Sequence, residues 1–199
     1  MKAINYKRIL SREFYNESTI SVAQNLLGKY LVRKIGDSLL IGKIVETEAY
    51  LGIDDEAAHS FIGKTKRNEV LFGEAGFTYV HSIHRFHCID IVTEQSENPS
   101  SVLIRALEPV EGLDLMKKFR NTEIEINLTN GPGKLCEAFN IKRELNNIDV
   151  TNPLSEIMIL DNDPIAKTEF IRTSRIGISK AKELSLRFYI KGNNFVSKK

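Results

Sequence analysis

The stretch LLIGKIVETEAYL, residues 39–51, reads as a half-buried strand in all but one respect: two carboxylates and a phenol recur at alternate positions. Strand side chains alternate between two faces. Val45, Thr47, Ala49 and Leu51 therefore share one face, and Ile44, Glu46, Glu48 and Tyr50 the other. A polar face of this kind is ordinarily the solvated side of an antiparallel sheet. It also suits the wall of a cleft where a carboxylate works beside an aromatic ring. For the strand by itself the solvated face is the ordinary expectation.

Neighbouring segments supply partners for that strand. KYLVRKIGDSLLIGKIVETEAYL forms two strands about a Gly-Asp-Ser turn, and FTYVHSIHRFHCIDIVTE two more, turning tightly near His84 and Arg85. SVLIRALEP, EIMIL, TEFIRT and LRFYIKG add further strands. STISVAQNLLGK reads as a short helix, capped by Ser18 or Thr19, with Ile20, Ala23 and Leu27 on one stripe and Gly28 at its end. Pro109 is expected to open a helix, PVEGLDLMKKFR, that turns Val110, Leu113, Met116 and Phe119 to the core. NGPGKLCEAFNI suggests another, with Pro132 in its first turn and Leu135 and Phe139 on one face. Residues 52–68 read as a polar loop. This mixed order predicts an α+β fold rather than a doubly wound parallel sheet.

A length of 199 residues, without repeats or linkers, suits one domain spanning 1–199, with residues 1–17 as a loose basic arm. Lys2, Lys7, Arg8 and Arg12 lie in that arm, and Lys198 and Lys199 at the other end. With 42% hydrophobic and 27% charged residues the composition is that of a globular protein. No apolar run approaches the roughly 20 residues of a membrane span, and MKAINYKRILSREFY lacks the apolar core of a signal peptide. A cytoplasmic protein is expected, with Cys88 and Cys136 as free thiols. A net charge of +2 is neutral on nucleic-acid binding, because a local patch such as Lys64, Lys66 and Arg67 suffices.

Several constellations could carry chemistry. His81, His84 and His87 beside Cys88 have a spacing that suits a metal on a helix. On a strand, however, His81 and His87 fall on one face and His84 on the other. GPGKL opens a helix and could cradle phosphate around Lys134, or be only a tight turn; it is not a P-loop, since Leu135 follows the lysine. Neither a GxSxG elbow nor a GxGxxG fingerprint occurs. Arg105 sits inside the apolar VLIRALEP and needs an anionic partner if buried, with Glu46, Glu48 and Asp90 as candidates, or else snorkels to water at an edge.

VETEAYLGIDDEAAHS, followed in order by KTKRN, VLIRALEPVEGL, NGPGKLCEAFNI, RIGI and LRFYIKGNNFVS, closely resembles the alkyladenine DNA glycosylase (mammalian-type 3-methyladenine DNA glycosylase) family from about Ser21 to Ser197. The resemblance implies a compact domain with a curved antiparallel sheet, surrounding short helices and a protruding β-hairpin that enters DNA. It implies an enzyme without metal or other cofactor that hydrolyses the N-glycosidic bond of alkylated or deaminated purines in double-stranded DNA. No lysine near this strand matches a Schiff-base nucleophile, so a monofunctional enzyme is expected, and duplex scanning suits a monomer. Carried over by position, Glu48 is the general base and Arg105 lies near the attacking water. Tyr50, His59, Tyr79, His81 and Asp90 belong to the base pocket. The hairpin tip around His84 enters the duplex, with His84 and Arg85 as a poorer apolar wedge but a better phosphate or stacking contact; Lys64, Lys66, Arg67 and Lys134, by their own charge and placement, are the further candidates for DNA binding.

Physics agrees with that assignment. A base must leave the stack before its glycosidic bond can be reached, at a cost of a few kcal/mol. Aromatic walls recover part of this, roughly 1–3 kcal/mol per stacked base. A carboxylate can stabilise an oxocarbenium-like sugar and take a proton from water, and Arg105 nearby favours its ionised form. YVHSIHRFHCID departs from the family, which has tyrosines at the positions of His81 and His84 and an asparagine at Asp90. It is also one residue shorter, so Ile91 is the alternative occupant of the asparagine position. Asp90 is expected to alter lesion preference. Two other functions compete: a non-catalytic protein that binds damaged DNA, and a metal-dependent hydrolase built on His81, His84 and His87.

Overall fold

The computed structural model describes residues 8–198. Ile9 bridges to Leu160, and a short helix α1 (Arg12–Tyr15) follows, with Arg12 bonded to Asp149 at 2.7 Å. From Ile9 onward the expected loose arm is thus docked on the domain; Lys2, Lys7 and Lys199 lie outside the described residues. Helix α2 (Thr19–Asn25) starts at Ser18, whose side chain accepts from the Ser21 N–H. Thr19 is not the cap; its hydroxyl is buried against Thr93.

Strands β1 (Tyr30–Ile35) and β2 (Ser38–Tyr50) meet at the expected turn, with Gly36 at φ 56°. β3 (Thr78–Ile83) and β4 (Phe86–Thr93) form the expected hairpin, with His84 at φ 54°. β5 (Ser100–Glu111) is followed by α3 (Leu113–Arg120) and α4 (Pro132–Ala138). β6 (Ile157–Leu160), β7 (Phe170–Thr173) and β8 (Arg187–Ile190) complete one antiparallel sheet. Its order is β3-β4-β5-β2-β1-β6, and β8 joins β2 to β7. The fold is α+β, a curved sheet with short helices on one face.

Pro109 does not open a helix. It lies in β5 opposite Gly42, where a bulge leaves Val110 unpaired and exposed. A proline lacks the N–H that a regular ladder needs, and bulges are where sheets tolerate it. Gly112 instead provides the break, at φ 84°, and a Cβ there would meet the Leu39 carbonyl oxygen at 2.6 Å.

Two further bulges decide which side chains face the core. Ile44 pairs with Leu107 and Glu46 with Ala106, so Val45 is an extra residue on β2. Thr47 then pairs with Ile104, so Arg105 is an extra residue on β5. The register error introduced by one strand is removed by the other. Ile44 consequently packs in the main core with Ala49, Ile104, Leu107, Leu135 and Phe139, and not on the face of Glu46 and Glu48 as strict alternation predicts. Val45 packs on the opposite side with Ala106 and Val196. Thr47 points to α2, donating to the Ala23 carbonyl at 2.8 Å.

Candidate active site

The polar face of β2 is not solvated: Glu46 and Glu48 are both fully buried. Bulges commonly re-aim a side chain beside a functional site, and here the extra residue Arg105 reaches both glutamates. Its Nε lies 3.0 Å from Glu46 Oε1 and its Nη1 3.2 Å from Glu48 Oε2. Glu46 also accepts from Arg187 Nε at 2.6 Å and from the Ser197 N–H and hydroxyl at 2.6 and 2.8 Å. Glu48 accepts the Ile176 N–H at 2.7 Å on Oε1 and the Tyr50 hydroxyl at 2.9 Å on Oε2.

Burial pushes the Glu48 carboxyl above its usual range, although Arg105, the Ile176 N–H and the Tyr50 hydroxyl each pull it back. The arginine does favour the ionised form, but desolvation outweighs it. Burial opposes the Arg105 charge in turn, and the two glutamates more than compensate, holding the guanidinium firmly protonated. Tyr50 reaches back to the carboxylate rather than standing apart along the strand. Its phenol is held protonated by burial and by the Glu48 charge.

In front of this group lies a cavity of about 440 Å³, walled by Tyr50, His59, His81, Asp90, Arg105 and the segment 176–180. That volume falls in the range of small-molecule pockets, roughly 300–1,000 Å³. The three groups that touch Glu48, namely Tyr50, Arg105 and Ile176, all line it. His81 stacks on Tyr79 at 5.0 Å, and His59 meets both rings edge-on, its Nδ1 3.0 Å from the Tyr79 hydroxyl. Tyr79 therefore stands behind His81 and does not itself wall the cavity. Its phenol is pushed up to about 12, first by burial and then by Asp90.

Asp90, and not Ile91, faces the cavity; Ile91 is in the core. Asp90 Oδ2 lies 3.7 Å from His81 Nε2 and 3.4 Å from the Ser101 hydroxyl. Asp90 Oδ1 and His81 Nδ1 are buried without hydrogen-bond partners. Arg105 pairs with the two glutamates and not with Asp90.

The histidine cluster does not converge. His81 lies opposite Cys88, and His87 opposite Ser82, so the hairpin places His81 and His87 on different faces, contrary to a continuous strand. His84 projects from the tip, and His87 lines a second cleft with Arg85, Phe86 and Lys134. Among the described residues no group of three or more His, Cys, Asp or Glu side chains is arranged to hold a metal.

None of the basic candidates for DNA binding lines this cavity. Lys64, Lys66 and Arg67 are exposed on a loop gathered around buried Asn68, which donates to the His59 and Gly63 carbonyls and accepts from Thr65. Arg67 ties that loop to the hairpin through the Ser82 carbonyl at 2.9 Å. Arg85 lies over the Phe86 ring at 4.9 Å, and Lys134 bonds Asn130 at 2.8 Å. Arg187, Ser197 and the buried pair Asp55–Arg175 carry no local sequence signal, because each works through partners distant along the chain, whereas Asn68 bonds within its own loop and resembles any other loop residue. Among the described residues no helix is long and apolar enough to cross a membrane.

A family model for methylpurine-DNA glycosylase matches residues 13–194. A protein of Carboxydothermus hydrogenoformans named "Putative 3-methyladenine DNA glycosylase" is 45% identical over 96% of this chain and 100% of its own length. One of the same name from Methanoculleus marisnigri is 44% identical over 96% and 99%, and one from Clostridium perfringens 43% over 96% and 99%. Similarity of that extent, running through almost every residue of both partners, places the chain in the methylpurine-DNA glycosylase family.

Proposed function

We propose that the protein removes alkylated or deaminated purines, of the 3-methyladenine, 7-methylguanine and hypoxanthine class, from duplex DNA. The base rotates into the cavity, and a water activated by Glu48 hydrolyses the N-glycosidic bond, leaving an intact abasic site. One observation carries this reading: a fully buried glutamate, raised in pKa by desolvation and steadied by Arg105, directly behind an aromatic-walled pocket of suitable volume. A general base works best with a pKa raised toward the working pH.

Tyr50 and His81 offer faces for the extruded base. A methylated purine already carries positive charge and leaves readily. Ionised Glu48 balances the positive charge that develops on the sugar and receives the proton of the attacking water, for which Arg105 offers a donor at the cavity wall. At the hairpin tip, exposed His84 and Arg85 stand between exposed Ile83 and Phe86, an apolar pair suited to filling the gap in the stack. The cavity's lysine, Lys180, is exposed and paired with Glu56 at 3.5 Å, unlike the desolvated lysine that Schiff-base chemistry needs.

The test is release of free base from methylated and deaminated duplexes by the purified protein. Wild type should release base without forming a borohydride-trapped adduct, and Glu48→Gln should lose roughly 10²–10⁴-fold in rate. Equal rates in the two proteins would remove Glu48 from the mechanism.

A further inference from the structure

Arg175 and Asp55 form an ion pair in which neither side chain is exposed to solvent. Arg175 Nη2 donates to Asp55 Oδ1 at 2.8 Å, Nη1 donates to Oδ2, and Nη1 also meets the Ala49 carbonyl at 3.0 Å. Asp55 is fixed from the other side by the N–H groups of Leu51 and Ala57, each at 3.1 Å. These four donors fill the acceptor sites of the buried carboxylate and fix the place of every group bonded to it.

What the pair positions lies on either side of it. The Arg175 guanidinium covers the Tyr50 ring at 4.6 Å from its centroid, within cation–π range. The next residue, Ile176, gives its N–H to Glu48 Oε1. One anchored arginine therefore sets both the ring that walls the cavity and the donor on one carboxylate oxygen. The other oxygen is held by Tyr50 and Arg105.

We infer that Asp55 is a positioning residue for base excision: through Arg175 it holds the Ile176 N–H on Glu48 and the Tyr50 ring in the cavity wall. The inference rests on the role proposed for Glu48. A donor to the ionised form stabilises that form, so a displaced Ile176 N–H leaves Glu48 protonated to higher pH. The charged and titratable groups facing Glu48 are Glu46 and Tyr50 on its own strand, Arg105 on β5, Cys88 and Asp90 on β4 and Arg187 on β8, with Arg175 beyond the Ile176 peptide. Asp55→Asn leaves all of these in the sequence.

Direct electrostatics and positioning predict opposite results. Removing a negative charge and leaving Arg175 unneutralised would by itself favour ionised Glu48 and move the acidic limb of the rate profile down. Loss of the Ile176 donor moves it up, by about one pH unit for a lost hydrogen bond to a charged group.

The experiment is single-turnover base release from methylated duplex DNA between pH 5 and 9, for wild type and Asp55→Asn, with thermal melting to confirm folding. An upward displacement of the acidic limb in a folded variant is expected; an unmoved or lowered limb overturns the inference. If Asp55→Asn does not fold, Asp55→Asn with Arg175→Gln removes the two charges together, so the net charge beside the site is unchanged and a limb that does not move up overturns the inference. Replacing Ile176 by its α-hydroxy acid exchanges that N–H for an ester oxygen with every side chain kept, and must reproduce the displacement; an unmoved limb there also overturns the inference. A wild type that releases no base overturns the functional reading and this inference together, whereas an active wild type with unmoved variants overturns the inference alone.

Discussion

Arg105 Nη1 stands 3.2 Å from Glu48 Oε2, and the bulge that leaves Arg105 unpaired in β5 puts it there. The same guanidinium turns its Nε to Glu46. Two glutamates two residues apart on a buried face would otherwise repel, so one arginine lets both occupy it. Glu46 takes three further donors from Arg187 and Ser197 and serves as the fixed end of the network. Glu48 is bonded instead to groups that line the cavity, and this is why the proposed chemistry is assigned to it.

Arg105→Gln should damage both stability and chemistry. Removing one partner of a buried ion pair costs about 3–5 kcal/mol, and urea unfolding at neutral pH should register a loss of that order. Arg105 lowers the Glu48 pKa, so its removal raises it. Base release should therefore fall more steeply at pH 6 than at pH 8, and an equal loss at both would separate Arg105 from the ionisation of Glu48.

Glu48 in its ionised form works against folding. Its folded-state pKa is raised above the usual carboxylate value, chiefly by burial. Its contribution to stability is therefore fully present below the unfolded pKa and is lost as pH rises through the folded one. The stability of wild type relative to Glu48→Gln should therefore fall as the pH rises from about 5 to about 8, while the variant loses activity. Melting curves of both proteins at several pH values check this; a difference that does not change with pH would refute it.

Much of the sheet was legible because its signals are local. Alternation marked the strands, Gly36–Asp37 the first turn, and Ser18 a helix start. Alternation cannot distinguish solvent from cavity, since both accept polar side chains, so the burial of Glu46 and Glu48 was not legible from β2 alone. Nor does it register a bulge: Ile44 changes face because Val45 is extra, and the compensating residue, Arg105, is on another strand. Pro109 misled because its helix-starting preference was stronger than any local sign of the Val110 bulge. Asp55 and Arg175 lie 120 positions apart, and no spacing rule connects them. The site residues Glu48, Tyr50, His59 and Arg105 stood out by resemblance and by being polar in apolar surroundings. Asn68 looked like one more loop residue.

Asp90 should bias lesion choice. A carboxylate offers only acceptors where an amide offers both donor and acceptor, and Asp90 Oδ1 is buried beside the cavity without a partner. A base that presents amino groups, such as 3-methyladenine or 7-methylguanine, can satisfy it. Hypoxanthine has no amino group and presents only its N1–H as a donor. Asp90→Asn should therefore raise hypoxanthine release relative to 7-methylguanine, measured as a ratio of kcat/KM values. Unchanged ratios would deny Asp90 a part in selectivity.

Arg85 should act on DNA through charge, without regard to sequence or damage. It is exposed at the hairpin tip and supported by the Phe86 ring, with no acidic partner among the described residues. Each phosphate contact contributes about 0.9 to the slope of log affinity against log salt concentration. Arg85→Ala should flatten that slope by about 1 and weaken damaged and undamaged duplexes alike. If the wedge itself were lost, damaged duplex alone would suffer, because only there is a base held out of the stack. Binding titrations at several salt concentrations, on both duplexes, separate the two: an unchanged slope with selective loss on damaged DNA would make Arg85 part of the wedge and not a phosphate contact.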